Sequence, residues 1–405
     1  MSGPIALSSA DLAVFFEPRH AALAERLTHD LTSTRGDASP ARLDGDAASV
    51  ARAMGSEGLG LYAFLIPEAH GGAAVGALSK PSYVDVRSLL LIREALGQVS
   101  PLADAIFAVQ GLGSYPIVLA GSDEQRQRYL PGVISGQRIG AFALTEPEAG
   151  SDVASLRATA RRDGEEWVLD GEKTLISNVP IAHHYIVFAS TDPAAGRKGI
   201  AAFVVESDSK GIEATPLPMS IPHPIGRLRF TGCRVPGGAL LGGAGAGFKL
   251  AMETLDAFRI SVGAAANGMA RRALDASIVH VSSRRQFGAP LSDQQIVRAY
   301  LAEMATELDA ARLLVARAAH KRDTTGERVS VEAAMAKMYA TEAAQRIIDH
   351  AVQLHGGAGV LAGSEVESLY REIRPLRIYE GTTEIQKLII AKGLLEAAGA
   401  SRPTH

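Results

Sequence analysis

The sequence predicts a mainly helical α+β fold with an N-terminal α-helical domain, a middle antiparallel β domain and a C-terminal four-helix bundle. Three observations predict this order. Apolar residues recur every three or four positions near the amino end, alternate with polar residues in the middle, and return to helical spacing over long stretches near the carboxyl end. We place the domain boundaries at residues 1–135, 136–245 and 246–405.

The N-terminal domain contains three short amphipathic stretches separated by loop signals. Leu12, Val50 and Val86 lead these stretches, and each is followed by apolar residues three and four positions later. Asp123 stands before Glu-Gln-Arg, which predicts the cap of a further short helix that ends near Pro131.

The middle domain shows strand-like alternation and turn pairs. Asp163-Gly164 and Asp170-Gly171 are both typical of hairpin turns. Short strands without intervening helices predict an antiparallel sandwich or barrel. The five predicted strands are Ile139–Leu144, Trp167–Leu169, Tyr185–Ala189, Ile200–Val205 and Arg227–Thr231.

The C-terminal domain shows four long amphipathic segments, which is typical of a four-helix bundle. These segments begin near Leu255, Ile296, Met335 and Ile385. The glycine-rich run at residues 242–247 lacks the strand, crossover helix and distant acid of a dinucleotide-binding fingerprint. We therefore interpret it as a flexible connection from strand to helix.

Composition narrows the class of protein. The 405 residues include 41 basic and 44 acidic side chains, a net charge of −3, which argues against nucleic acid as a partner. A single cysteine, Cys233, fits a reducing compartment, and the scattered histidines indicate no metal site. No basic residue precedes Arg19, and no run reaches the roughly 18 apolar residues of a membrane span. We expect a soluble, cytoplasmic protein without membrane insertion.

Two segments contain residue types that suit chemistry. Leu144–Asp152 passes from a strand into a loop, whose hydroxyls and backbone N–H groups could contact a heterocycle or a phosphate. On spacing alone, an ordinary acidic turn is the favoured interpretation of this segment. Glu380 lies beside Ile378 and Tyr379, where an apolar setting would raise its pKa and suit a general base. The alternative, a glutamate favourable to a helix N-terminus, is commoner.

Two further segments are weaker on their own. Gln353–Gly359 follows a long helix, and its glycines could allow close approach to a ligand or form a plain helix cap. Ser283–Gly288 offers an arginine for a diphosphate and Phe287 for a ring, or an arginine pair that interacts with the helix dipole.

In combination, the order and spacing of these segments resemble the acyl-CoA dehydrogenase family of flavoproteins. The matching stretches are Leu144–Asp152, Ser283–Gly288, Gln353–Gly357 and Tyr379–Gln386. The resemblance covers nearly the whole chain, from the N-terminal helices to Leu395. The family's order of α domain, β domain and α bundle agrees with the order read from the periodicity.

The resemblance implies an FAD enzyme that oxidises the Cα–Cβ bond of an acyl-CoA thioester to a trans-2-enoyl-CoA. Glu380 matches the family's base, and electrons would pass to an electron-transferring flavoprotein. Some members place the base on the first bundle helix, where this chain has Phe258, which cannot abstract a proton. An oxidase that uses oxygen and a catalytically silent flavin- or CoA-binding subunit are the alternatives.

Position matching also implies the binding residues. The resemblance assigns substrate contacts to Ser151, Asp256 and Arg259. FAD contacts shared with a neighbouring subunit imply a homo-oligomer, either a dimer or a tetramer. The implied cofactor residues are Phe142, Leu144, Thr145, Gly150, Ser151, Leu175, Ser177, Arg284, Phe287, Gln295, Gln353, Gly357, Thr382 and Glu384.

The chain departs from the family pattern in two places. Leu175 stands where the family usually has a tryptophan against the flavin, and residues 219–226, which include His223, lack the usual strand rich in glycine, serine and threonine. These departures concern the electron acceptor and acyl specificity more than flavin binding. Drift within a divergent subfamily is the alternative explanation.

Overall fold

The computed structural model describes residues 10–32, 43, 45–75 and 83–399. The α-helices are α1 (Pro18–Thr32), α2 (Ala47–Ala53), α3 (Val86–Val99), α4 (Pro101–Ala120), α5 (Asp123–Ser135), α6 (Gly247–Ser283), α7 (Gln295–Thr325), α8 (Ser330–His355), α9 (Glu365–Ile373) and α10 (Thr383–Ala397). The strands are β1 (Gly140–Ala143), β2 (Thr159–Asp163), β3 (Glu166–Ser177), β4 (His184–Ser190), β5 (Ile200–Glu206), β6 (Ile212–Pro216), β7 (Ile225–Pro236), β8 (Leu240–Leu241), β9 (Arg285–Gln286) and β10 (Ala289–Pro290). These elements confirm the mainly helical α+β fold.

The elements form two compact units. The first contains α1, α3, α7 to α10, the β9–β10 hairpin and α6 from Arg259 onward. The second contains α2, α4, α5, strands β1 to β8 and α6 up to Phe258. The three domain boundaries placed on the sequence stay a prediction.

The second unit is built on one eight-stranded sheet. Its strand order is β6-β7-β3-β2-β4-β5-β8, and β1 pairs with β4. Most strand pairs are antiparallel, as predicted, but the β1–β4 pairing and the single β2–β4 pair are parallel, so the sheet is mixed. Parallel pairing needs a long connection. The β2–β3 hairpin lies between β1 and β4 in the chain and supplies it.

The two predicted hairpin turns have different outcomes. Asp163-Gly164 joins β2 and β3, with Asp163 paired to Glu166, as predicted. The prediction for Asp170-Gly171 is wrong, because both residues lie inside β3. There the pairing with β7 shifts register, and Gly171 has a φ of +136°. A Cβ at Gly171 would lie 2.7 Å from Ala158 Cα, so the glycine forms a bulge rather than a turn.

The predicted cap of α5 is also wrong by one residue. Ser122 is the N-cap, and Asp123 is the first helical residue. Ser122 Oγ accepts from Gln125 N at 3.2 Å, and Gln125 Oε1 accepts from Ser122 N at 2.8 Å. This reciprocal pair satisfies two backbone donors, which an aspartate one position later could not do. The glycine-rich run does connect β8 to α6, as predicted.

The sheet core consists of buried apolar side chains such as Leu228, Phe203 and the lone Cys233. Trp167 packs edge-on against Phe203, with ring centroids 5.4 Å apart. The helix α4 is long and apolar enough to span a membrane by composition, but 78% of its most apolar window is buried inside the protein. Helix α4 therefore has the burial of a core helix.

The first unit contains the predicted bundle helices α7, α8 and α10, the part of α6 from Arg259 onward, and the shorter α9. Its core is formed by apolar side chains such as Met269, Met304 and Ile347. The carboxylate of Asp323 on α7 caps α3, since its oxygens accept from Val86 N at 3.1 Å and Arg87 N at 2.9 Å. These two bonds fix the N-terminal end of α3 against α7.

Candidate functional site

Glu380 lies in a tight turn between the bundle segments of the first unit. The turn joins the short 3-10 helix Arg374–Arg377 to α10, and Thr382 Oγ1 caps α10 by accepting from Ile385 N at 3.4 Å. Glu380 has a φ of +52° and Gly381 a φ of +93°. A left-handed conformation costs a residue with a Cβ roughly 1–2 kcal/mol. Such strain persists where surrounding contacts determine the conformation.

Three side chains from other parts of the unit hold the carbonyl groups of this turn. Arg259 Nε donates to the Glu380 carbonyl oxygen at 3.2 Å. Lys337 Nζ and Gln386 Nε2 both donate to the Gly381 carbonyl oxygen at 2.9 Å. All three donors are buried. Two consecutive peptide carbonyls are thus fixed from α6, α8 and α10. The Oε2 atom of the Glu380 carboxylate is buried.

The charge of Lys337 is part of this arrangement. Burial lowers the pKa of Lys337 to about 8, while the Glu380 carboxylate acts in the opposite direction and Arg259 adds to the lowering. The bundle therefore keeps a cation close to Glu380 at neutral pH although the ammonium is fully buried. This is an unusual use of a lysine, since buried lysines are rare unless paired.

A second buried lysine organises the loop after β1 in the second unit. Lys173 Nζ donates to Glu146 Oε1 at 2.7 Å and to the Leu144 carbonyl oxygen at 3.1 Å. The Glu146 carboxylate also accepts from Arg157 N at 2.6 Å and Ala158 N at 3.0 Å. Burial lowers the pKa of Lys173 to about 8, and its partner Glu146 opposes the shift. This ion pair fixes both ends of the loop that contains Thr145, Gly150 and Ser151.

The predicted flavin contacts of this unit differ in exposure. The side chain of Leu144 is buried, so that residue can offer a ligand only its backbone. Phe142, Thr145 and Ser177 are half-buried, while Gly150 and Ser151 are exposed. A Cβ at Gly150 would meet nothing within 4 Å. Leu175 has a φ of +55° and is 61% exposed.

This donor set fits FAD. Three hydroxyls and the loop backbone can bond the polar edge of a flavin or its phosphates, and Phe142 and Leu175 offer apolar surface to a flat ring. Strands β1 and β3 and the loop after β1 therefore supply both the polar donors and the accessible apolar surface that a flavin needs.

The predicted cofactor residues on the bundle helices and the β9–β10 hairpin are all exposed. Phe287 lies between β9 and β10 with a φ of +52° and is 94% exposed. Burial of such an exposed aromatic ring against another molecule would be favourable, because it removes apolar surface from water. The exposed set is Arg284, Phe287, Gln295, Gln353 and Gly357.

The remaining predicted residues have varied positions. Thr382 is the α10 cap, and Glu384 is exposed in the first turn of that helix. Asp256 is half-buried on α6. Phe258 is fully buried and packs edge-on against Tyr115, with ring centroids 5.8 Å apart. Arg259 donates to the Glu380 carbonyl oxygen, and its place near the CoA portion of the substrate stays a prediction.

Sequence reasoning missed Lys173, Lys337 and Gln386. A signal for Lys337 exists, because it lies four residues after Ala333 and three before Ala340, on the apolar face of α8. A lysine in that position predicts a buried partner. In the described part of the chain, no group of three histidine, cysteine or acidic residues could hold a metal ion.

Three family models match the chain in sequence order. They are the acyl-CoA dehydrogenase N-terminal domain over residues 35–137, the middle domain over 141–233 and the C-terminal domain over 245–395. The 3-(aryl)acrylate reductase of Clostridium sporogenes is 38% identical over 83% of this chain and 88% of its own length. The human mitochondrial short-chain specific acyl-CoA dehydrogenase is 40% identical over 84% of this chain and 81% of its own.

Solved structures agree. Butyryl-CoA dehydrogenase of Megasphaera elsdenii superposes with a TM-score of 0.84 at 31% identity, covering 94% of this chain and 99% of its own. A glutaryl-CoA dehydrogenase of Mycobacterium smegmatis in complex with FADH2 gives a TM-score of 0.84 at 26% identity, covering 95% and 97%. The fold and these matches define a flavoprotein oxidoreductase. The chain belongs to the acyl-CoA dehydrogenase family and is an enzyme of that family.

Proposed function

We propose that this enzyme uses FAD to convert an acyl-CoA thioester into its trans-2-enoyl-CoA, with Glu380 as the base that removes the α proton. The observation that carries the proposal is the Glu380 turn. A glutamate in a strained conformation, held by three buried donors, has a defined position that surface glutamates lack. Electrostatic and geometric preorganisation of this kind is what proton abstraction next to a carbonyl requires.

The residues of this chain would act as follows. The Glu380 carboxylate takes the α proton, and the backbone N–H of Glu380 donates to the thioester oxygen on which charge develops. Bound FAD supplies the ring that accepts the hydride from Cβ. The loop fixed by Lys173, together with Ser177, would hold that cofactor, and an FADH2 complex of a family member supports its identity.

The exposed residues of the bundle support a proposal about a second copy of the chain. We propose that Arg284, Phe287 and their exposed neighbours contact FAD of a second copy of the chain, so that the active enzyme is a homo-oligomer. Electrons would then leave to an electron-transferring flavoprotein. Human short-chain acyl-CoA dehydrogenase is a relative, and short acyl-CoAs are therefore the first substrates to test.

The test is an anaerobic titration of the yellow holoenzyme with acyl-CoAs, followed by loss of the oxidised flavin absorption band. The panel includes butyryl-CoA, longer straight chains and a 3-arylpropionyl-CoA, the last because one relative is named for 3-(aryl)acrylates. Glu380→Gln should keep the flavin bound and lose bleaching by at least about 10³-fold, which is within the range for loss of a general base. Glu396→Gln, an exposed glutamate on α10, is the matched control and should bleach like the parent.

Each other outcome has a distinct meaning. Bleaching of Glu380→Gln at the parental rate would refute the base assignment. Hydrogen peroxide formed in air at the rate of turnover would establish an oxidase. A holoenzyme that no acyl-CoA bleaches would indicate a silent subunit.

A further inference from the structure

A serine and a histidine of the second unit form a close pair outside the contacts already described. Ser177 Oγ and His223 Nε2 are 2.7 Å apart. Ser177 is the last residue of β3, and His223 lies two residues before β7 begins. Both side chains are half-buried. The pair therefore joins the end of one strand to the segment that leads into its neighbour.

The backbone around the pair is constrained on both sides. Pro222 and Pro224 flank His223, and proline fixes its own φ and restricts the residue before it. Asn178 N donates to the Pro224 carbonyl oxygen at 2.6 Å. Leu175 and Asn178, which bracket Ser177, have φ values of +55° and +66°. A corner this constrained can fix a side chain in one orientation.

The ring of His223 is neutral at physiological pH, because burial lowers its pKa to about 4. A base that weak is poorly matched to activating a serine for nucleophilic attack near neutral pH. A neutral ring nitrogen at 2.7 Å is well suited to an uncharged hydrogen bond that sets the orientation of the hydroxyl. The pair is therefore built for positioning.

We propose that His223 is a positioning residue that orients the Ser177 hydroxyl toward bound FAD. This inference rests on the proposed function, in which Ser177 contacts the flavin. It also gives a role to two departures of this chain from its family. Leu175 in place of an aromatic ring reduces the area that can stack against the cofactor, so a fixed polar contact from Ser177 carries more of the binding.

The test measures FAD affinity rather than turnover. Holoenzyme is diluted serially, and the fluorescence of released flavin gives the dissociation constant. His223→Met removes the ring nitrogens at similar volume, His223→Gln places an amide at comparable reach, and Ser177→Ala removes the partner. Loss of one hydrogen bond predicts that His223→Met and Ser177→Ala each weaken FAD binding roughly threefold to tenfold. His223→Gln should recover most of the lost affinity. The double variant Ser177→Ala/His223→Met should bind FAD no more weakly than whichever of its two single variants binds FAD more weakly. His70→Met, a half-buried histidine elsewhere in the unit, is the control and should leave affinity unchanged.

Each of the following outcomes would overturn the inference. Parental affinity in Ser177→Ala shows that the hydroxyl does not bind the cofactor, and this result holds even if the histidine variants fold poorly. Additive losses in the double variant show that His223 acts through packing alone, as does failure of His223→Gln to recover binding. A parent chain that binds no FAD removes the proposed function as well, whereas a parent that binds FAD with unaffected variants removes only this inference.

Discussion

Replacing Lys337 with methionine tests whether the Glu380 turn is held for chemistry or for stability. The change keeps an unbranched side chain of similar length and removes the ammonium that donates to the Gly381 carbonyl oxygen at 2.9 Å. Gln386 Nε2 remains as a second donor to the same oxygen, so the carbonyl is not left without a partner. The perturbation is therefore specific to one contact beside Glu380.

For the free energy of unfolding, the cost of burying the Lys337 cation and the gain from its hydrogen bond nearly cancel. The lysine pKa falls from 10.5 to about 8 on folding. That difference of about 2.5, at about 1.36 kcal/mol for each pKa unit, is a cost of roughly 3 kcal/mol for keeping the cation buried at pH 7. The hydrogen bond from a charged donor contributes about 1.5–3 kcal/mol in the other direction. Lys337→Met should therefore change the free energy of unfolding by no more than about 2 kcal/mol.

Lys337→Met should affect the rate of flavin reduction more than it affects stability. Relaxing Glu380 out of its left-handed conformation regains roughly 1–2 kcal/mol, which would populate a turn with a displaced carboxylate. Since about 1.4 kcal/mol corresponds to a factor of ten, we expect flavin reduction to slow by about tenfold or more. Stopped-flow absorbance under saturating acyl-CoA gives the rate, and urea unfolding gives the stability.

Lys392→Met is the matched control, because Lys392 is exposed on α10 and its ammonium lies 4.0 Å from Glu396 Oε1 at the protein surface. Lys392→Met should alter neither the rate of flavin reduction nor the free energy of unfolding. Lys337→Met that reduces flavin at the parental rate would refute the reasoning, and a large loss of stability with normal chemistry would show that Lys337 serves the fold.

Two further predictions concern buried charge in the second unit. Lys173→Met leaves the Glu146 carboxylate buried without its cation and should lower the free energy of unfolding by about 3–5 kcal/mol in urea titrations. The double variant with Glu146→Gln should recover part of this loss. A double variant that recovers none of it would contradict the pairing. His184 is fully buried, and burial lowers its pKa from 6.5 to about 4. Between these two pH values the unfolded chain therefore binds more protons than the folded chain. The stability that the neutral His184 contributes is thus present above pH 6.5 and is lost as the pH falls toward 4. Urea titrations at pH 7 and pH 5 should show a smaller loss of stability for His184→Gln than for the parent, and equal losses would refute the assignment.

The sequence predicted those elements whose cause is local. The bundle helices follow from apolar spacing, and the Asp163-Gly164 turn follows from two adjacent residues. The parallel β1–β4 pair and the exposed strand β6 were missed, because pairing partner and register depend on distant chain segments. Asp170-Gly171 has the same residue types as the true turn, and only its pairing with β7 makes it a bulge.

The site shows the same division between local and distant causes. Glu380 could be found because its own neighbours form a recognisable segment, yet nothing in that segment explains why the glutamate adopts a left-handed conformation. The explanation lies in Arg259, Lys337 and Gln386, which approach from three helices. A match to a family motif thus identifies only the residue type of the base. Whether that base can act depends on the side chains that fix its position. If the proposed chemistry is correct, variants of those supports should reduce the rate while leaving the glutamate in place.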